Sequence, residues 1–135
     1  MPKPSNMPSE LMKVINRELH NAELYRILAR SAPDEEARAA LDRFSRECRE
    51  SADTFSRLWS VMTGKRFEPM PEPVRESGSF RSVLRGQIRR ELASSALYRE
   101  LYMRVSDNMK LKRALFTAAH NAMLRAASLA LDACN

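Results

Sequence analysis

Hydrophobic positions recur along the chain at alternating steps of four and three residues, the spacing of a helix face buried in a bundle. The first such run begins at Ser9, a good N-cap, and reaches about Arg30. Its stripe is Leu11, Ile15, Ala22 and Ala29, with Glu18 and Tyr25 on the same line. Ser31-Ala32-Pro33-Asp34 interrupts it, and the acidic residues that follow suit a new helix N-terminus. The second run extends from Asp34 to Thr63, with the seam Ala37, Leu41, Phe44, Cys48, Ser51, Phe55, Leu58 and Met62, and Gly64 as C-cap. Residues 65–78, with three prolines, a glycine and several charges, read as the one long linker. A third helix is expected from Ser79 to Val105, a tight turn at Ser106-Asp107-Asn108, and a fourth helix over 109–133. On the fourth, Asn121, Arg125, Ser128 and Asp132 form a polar stripe. The opposite face, Phe116, His120, Met123, Ala127, Ala130 and Cys134, is the one expected to turn inward.

Short loops within each pair of helices imply two antiparallel hairpins. The expected fold is therefore all-α: an antiparallel four-helix bundle over 9–133, with hairpins 9–63 and 79–133 joined by a crossover at 64–78. Residues 1–8, with three prolines and no apolar run, are expected to form a disordered lead rather than a signal peptide. Composition agrees, because Ala, Leu, Arg, Glu and Met dominate and glycine is scarce. No apolar stretch approaches the roughly 20 residues of a membrane span. Cys48 and Cys134 show no disulfide framework spacing, so reduced thiols in a bacterial-type cytoplasm are the default. The net charge of +6 raises the question of a nucleic-acid partner. The basic residues are spread over all four helical segments among Glu and Asp, which is the pattern of a solvated surface, and no specific nucleic acid is expected.

The chain repeats itself. Arg17-Glu18-Leu19-His20-Asn21-Ala22-Glu23-Leu24-Tyr25-Arg26-Ile27-Leu28 returns as Arg90-Glu91-Leu92-Ala93-Ser94-Ser95-Ala96-Leu97-Tyr98-Arg99-Glu100-Leu101, at a constant offset of 73 residues. The same offset pairs Leu11 with Leu84 and Ile15 with Ile88, so the seam is repeated as well as the letters. Glu18 and Glu91 therefore stand at equivalent points of two apolar seams, where a carboxylate must be balanced by a metal, a proton or a basic partner.

A buried Glu at equivalent points of two repeats, each followed by a Tyr seven residues on, resembles the rubrerythrin and ferritin-like superfamily over about residues 9–133. The run Phe55, Leu58, Thr63-Gly64-Lys65 is similar to the end of that family's second helix. The resemblance implies one Glu from the first helix of each hairpin and a Glu-x-x-His pair from the second, six residues binding two iron ions inside the bundle. Glu18 and Glu91 match the first-helix positions. In the second helix the matching positions fall on Cys48 and Ser51. In the fourth, aligning Phe116 with Phe44 places them on His120 and Met123, and a small shift places them on Thr117 and His120. No Glu-x-x-His is present, and Glu47 and Glu50 flank the seam as surface residues.

The candidate metal ligands are thus Glu18, Glu91, His120 and Cys48. They are too few to fix two metals, but enough for one iron, manganese or zinc ion. Without metal, the two glutamates are expected to share a proton or pair with His120, and to accept from Tyr or Ser hydroxyls. His20 lies on another face and reads as a surface residue, and Tyr25, Tyr98 and Tyr102 read as core aromatics. Two functions follow. One is a degenerate ferritin-like protein, without a cofactor, in a binding or structural role, with a second copy of itself or an acidic protein as the candidate partner. The other is a metalloprotein with a residual mononuclear site, either a metal carrier or a rubrerythrin-like oxidoreductase of low activity.

Overall fold

The computed structural model describes residues 6–75 and 77–134. They form four α-helices and, among the described residues, no strand: α1 (Met7–Arg30), α2 (Glu35–Thr63), α3 (Phe80–Arg104) and α4 (Met109–Cys134).

Local chemistry sets the helix ends. Asp34 Oδ1 accepts from Ala37 N at 2.8 Å to cap α2, Ser79 Oγ accepts from Ser82 N at 3.1 Å to cap α3, and Asn108 Oδ1 accepts from Leu111 N at 3.0 Å at the start of α4. α2 ends at Gly64, whose φ of 71° is the left-handed conformation glycine adopts without penalty. The first helix starts two residues earlier than Ser9. Pro8 is tolerated in a first turn, and its carbonyl accepts from Trp59 Nε1 at 3.1 Å, tying the start of α1 to the end of α2. Met7 and Pro8 are therefore helical rather than part of a lead, and the remainder of that lead, residues 1–5, lies outside the described residues.

The contacts order the helices. Pro8 meets Trp59, Glu18 meets Ser51 at 2.9 Å, and Ala22 O accepts from Ser45 Oγ at 2.8 Å. Across the hairpins, Gln87 Nε2 donates to Asn21 Oδ1 at 3.1 Å and Arg17 Nη1 to Ser94 Oγ at 3.2 Å, which sets α1 beside α3. Residues 65–75 run as a strap along α1. Phe67 packs edge-on to Trp59, Met70 N donates to Asn16 Oδ1 at 2.8 Å, His20 Nδ1 bonds the Glu72 carbonyl at 2.8 Å, and Val74 packs near the other end.

Two apolar clusters fill the interior. One gathers Leu11, Ile15, Phe55, Trp59, Tyr98, Leu101 and Leu115, the other Leu24, Tyr25, Leu28, Leu41, Phe44, Cys48, Leu84 and Leu129. Between them lies a buried polar layer that includes Glu18, Asn21, Gln87, Glu91, Ser94 and Arg125.

α4 departs from the expectation set by its sequence. Phe116, His120, Met123, Ala127 and Cys134 are exposed and Ala130 is half-buried, so the face expected to turn inward points outward. The inward residues are Leu111, Leu115, Ala118, Ala119, Ala122, Arg125, Ala126, Leu129 and Ala133. Seven of these nine follow the buried residues of α2 at an offset of 74, among them Leu115 after Leu41, Ala118 after Phe44, Ala122 after Cys48 and Leu129 after Phe55, while Leu111 and Arg125 follow the half-buried Ala37 and Ser51. The repeat thus extends to the second helix of each hairpin, with small alanines where α2 carries larger groups.

Candidate functional site

Glu18 and Glu91 both reach the centre of the polar layer, as their repeated seam positions require, and both are fully buried. The positive charge beside them comes from Arg125. Its Nε donates to Glu91 Oε2 and its Nη2 to Glu91 Oε1 at 3.3 Å, a two-pronged pairing on one carboxylate. Nη1 donates to Glu47 Oε1 at 3.2 Å, and Nη2 lies 4.0 Å from Glu18 Oε2. One guanidinium therefore stands among three carboxylates drawn from α1, α2 and α3.

Hydroxyls complete the centre. Tyr25 OH donates to Glu91 Oε2, and Ser51 Oγ donates to Glu18 Oε1 at 2.9 Å. These match the expectation that Tyr and Ser side chains serve the buried glutamates. The two halves are unequal, however. Glu91 receives Tyr25 and Arg125, while Glu18 receives only the neutral groups Ser51 and Cys48, and Glu18 Oε2 and Tyr98 OH are left without a hydrogen-bond partner. Tyr98 instead packs against Phe55 at 6.5 Å, and Tyr25 edge-on to Phe44 at 5.6 Å.

The electrostatics follow from burial. Loss of water raises the Glu18 carboxyl to about 7, and Glu91 adds to the rise; Arg125 and the hydrogen bonds from Ser51 and Cys48 oppose it. Near neutrality Glu18 is thus divided between its protonated and ionised forms. Cys48 is pushed well above the ordinary thiol value, first by burial and then by the charge of Glu18, so its sulfur keeps its proton. Burial pulls the Arg125 guanidinium down, but the neighbouring carboxylates, Glu91 with its hydrogen bonds before Glu18, more than reverse this, and Arg125 stays charged.

Of the four candidate ligands, the structure brings Glu18, Glu91 and Cys48 together and leaves His120 out. His120 lies on the outer face of α4, its ring stacked parallel to that of Phe116 at 6.5 Å. The physical reason is the register of α4. With Arg125 inward, a residue five positions earlier is carried to the far side of the helix. Thr117 and Met123, the other fourth-helix positions that the resemblance implies, are exposed as well.

This donor set does not fit a pair of metal ions. A resident guanidinium occupies the space between the carboxylates, the thiol is protonated, and the imidazole is elsewhere. Among the described residues no cluster of three or more His, Cys, Asp and Glu side chains is arranged to hold a metal. His20, expected at the surface, is half-buried under the strap.

Arg125 and Glu47 are the residues that the sequence assigned elsewhere. In the sequence pattern Glu47 and Glu50 both flank the seam as surface residues. Glu50 is exposed, but the Glu47 side chain is only 33% exposed and reaches in to Arg125. The row Ala118, Ala122, Ala126, set at helical spacing among Leu111, Leu115 and Leu129, marks the inward face of α4 and carries Arg125 with it.

Comparison of the chain with protein-family models, with curated proteins and with solved structures finds no match. No helix among the described residues is long and apolar enough to cross a membrane.

Proposed function

We propose that this chain is an antiparallel ferritin-like bundle in which an arginine has taken the place of the metal, and that it acts by binding or as a structural unit rather than by di-iron catalysis. The observation that carries this reading is the position of Arg125. Its guanidinium supplies the positive charge that Glu18, Glu91 and Glu47 need, from the position equivalent to Ser51. In the pattern that the family resemblance implies, the second-helix pair Glu-x-x-His then falls on Cys48 and Ser51 in one hairpin and on Ala122 and Arg125 in the other. All four second-helix ligands are replaced, one of them by a permanent cation. The cross-hairpin hydrogen bonds and the strap along α1 support the crossover topology.

The alternative, a mononuclear iron, manganese or zinc site, would have to draw on Glu18, Glu91 and Cys48 beside a fixed guanidinium. A divalent ion there meets like charge at short range and a thiol that gives up its proton reluctantly.

The test is metal content and iron oxidation. Protein purified without a tag or added metal is expected to carry no stoichiometric transition metal, and to show no rapid aerobic oxidation of added ferrous iron. One or two ions retained per chain, lost on Glu18→Ala or Glu91→Ala, would overturn the reading.

A further inference from the structure

The outer faces of α3 and α4 leave a set of apolar side chains uncovered. Met109, Phe116 and Met123 follow one another at steps of seven along α4, and Leu124 and Leu131 do the same beside them. That is the spacing of a helix packed against another helix. Yet all five are exposed, Phe116 and Leu131 by 61% and 71%, and Met103 of α3 is exposed by 77%. A groove of about 590 Å³ runs between the two helices, with Met103, Phe116 and Met123 in its wall.

The internal repeat supplies the comparison that gives this face its meaning. At the offset of 74, Phe116, Met123, Leu124 and Leu131 stand where α2 carries Asp42, Arg49, Glu50 and Arg57. At the offset of 73, Ala96 and Met103 stand where α1 carries Glu23 and Arg30. The first hairpin therefore shows this face as water leaves it, and its Glu23 pairs with Arg26 there in the open. Six charged side chains of the first hairpin answer to six apolar ones in the second. Single exposed apolar residues are ordinary, but a contiguous set of them on one face marks a surface that another molecule covers.

The charges of α4 indicate which molecule. The helix has no acidic residue in its first turn and no basic residue in its last. Instead Lys110 and Arg113 are exposed near its N-terminus and Asp132 near its C-terminus, the reverse of what its own dipole favours. An identical helix laid antiparallel corrects both ends at once. Lys110 and Arg113 of each copy then come beside Asp132 and the carbonyl end of the other.

We propose that a second copy of this chain docks on the α3/α4 face, with the two α4 helices antiparallel across a two-fold axis near the helix midpoint. That axis sets Phe116 of each copy against the small Ala127 of the other, a large group facing a space that fits it. α4 has 26 residues. A face about 40 Å long and two helices wide offers on the order of 800 Å² per copy, the share that a stable interface of standard size takes from each side. The proposal names the partner for the binding or structural role given above and rests on that reading, but it uses no residue of the charged centre.

The test is sedimentation of the full chain from nanomolar to high micromolar concentration, with helical spectra to confirm that each variant is folded. The parent is expected to be a dimer with a dissociation constant in the micromolar range or below. The triple variant Phe116→Asp, Met123→Arg, Leu131→Arg gives α4 the residues of the α2 face, all at exposed positions, and should weaken the dimer by about a hundredfold or more. If it does not fold, Met103→Arg, a single change at an exposed position, decides in its place. Val61→Asp, exposed on α2, should leave the dimer unchanged. Cys134 lies at the end of α4, so an antiparallel pair holds the two thiols about 40 Å apart, and diamide should not link the parent dimer. A parent that is monomeric throughout, a dimer that survives the face variants, a dimer broken by Val61→Asp, or one linked through Cys134 would each overturn the proposal. A monomer free of metal would do so while leaving the arginine-for-metal reading standing, and a dimer that retains metal would do the reverse.

Discussion

Ser51 and Arg125 occupy equivalent positions on α2 and α4, and each donates to the buried glutamate of its own hairpin's first helix: Ser51 to Glu18, Arg125 to Glu91. The repeated scaffold thus holds two half-sites, one served by a neutral hydroxyl and the other by a guanidinium that also leans toward Glu18 and Glu47.

Removing the guanidinium alone should be costly. Arg125→Leu leaves the fully buried Glu91 without its cationic partner, a loss of about 3–5 kcal/mol. Arg125→Leu combined with Glu91→Gln should recover most of it, because the amide is neutral and its oxygen still accepts from Tyr25. Urea unfolding of the two single variants and the double completes the cycle. A cost under about 1 kcal/mol for Arg125→Leu would place the side chain in water instead.

Stability should fall as pH rises through the weakly acidic range. Glu18 has a folded-state value of about 7 against an ordinary 4.5, so between these values the folded chain holds a proton that the unfolded chain has released. Stability is then highest below about pH 4.5 as far as this group is concerned, declines toward pH 7 and levels off above it. The loss is of order 3 kcal/mol for a fully buried group. Glu18→Gln should abolish this slope and leave the variant more stable than the parent at pH 8. Denaturation midpoints across the range, measured for both proteins, check the sign. A parent whose stability rises from pH 5 to 7 while the variant stays flat would contradict it.

If the bundle is ferritin-like, its ligands can be restored. Cys48→Glu, Ser51→His, Ala122→Glu and Arg125→His together recreate two Glu-x-x-His pairs opposite Glu18 and Glu91. The fourfold variant should bind two cobalt ions per chain, read from the visible absorption of the metal. A folded variant that binds none would argue against the proposed equivalence of these positions.

His120 serves as the control. Because it lies on the outer face against Phe116, His120→Ala should change stability by no more than about 0.5 kcal/mol and leave metal content as it was. A larger effect would return His120 to the interior.

The first helix of each hairpin was legible because Leu, Glu and Tyr recur at seam spacing, and Leu11, Ile15, Glu18 and Tyr25 are all buried where that spacing puts them. α4 was not, for two physical reasons. Its inward face is made of alanines and an arginine, so the larger apolar residues, Phe116 above all, mark the outside, and Phe116 is 61% exposed. Moreover, α1 has 24 residues and α3 has 25, so the repeat offset grows from 73 to 74 before α4 begins. Aligning Phe44 with Phe116 imposes an offset of 72, two positions short, which is enough to bring His120 where Ala122 stands. A buried cation also leaves no periodic trace, since periodicity treats every arginine as a surface residue.

The charged centre also bears on how the molecule comes apart. Each hairpin can form from contacts close in sequence, but the second contains Arg125 and Glu91 while Glu47, Glu18 and Tyr25 belong to the first. Opening the two hairpins strips Arg125 of Glu47 and Tyr25 of Glu91 in a single step and exposes both apolar clusters at once. Partial opening gains little chain entropy before that loss is incurred. The bundle should therefore lose its two halves together, as one cooperative unit, rather than fray into a folded hairpin and a loose one.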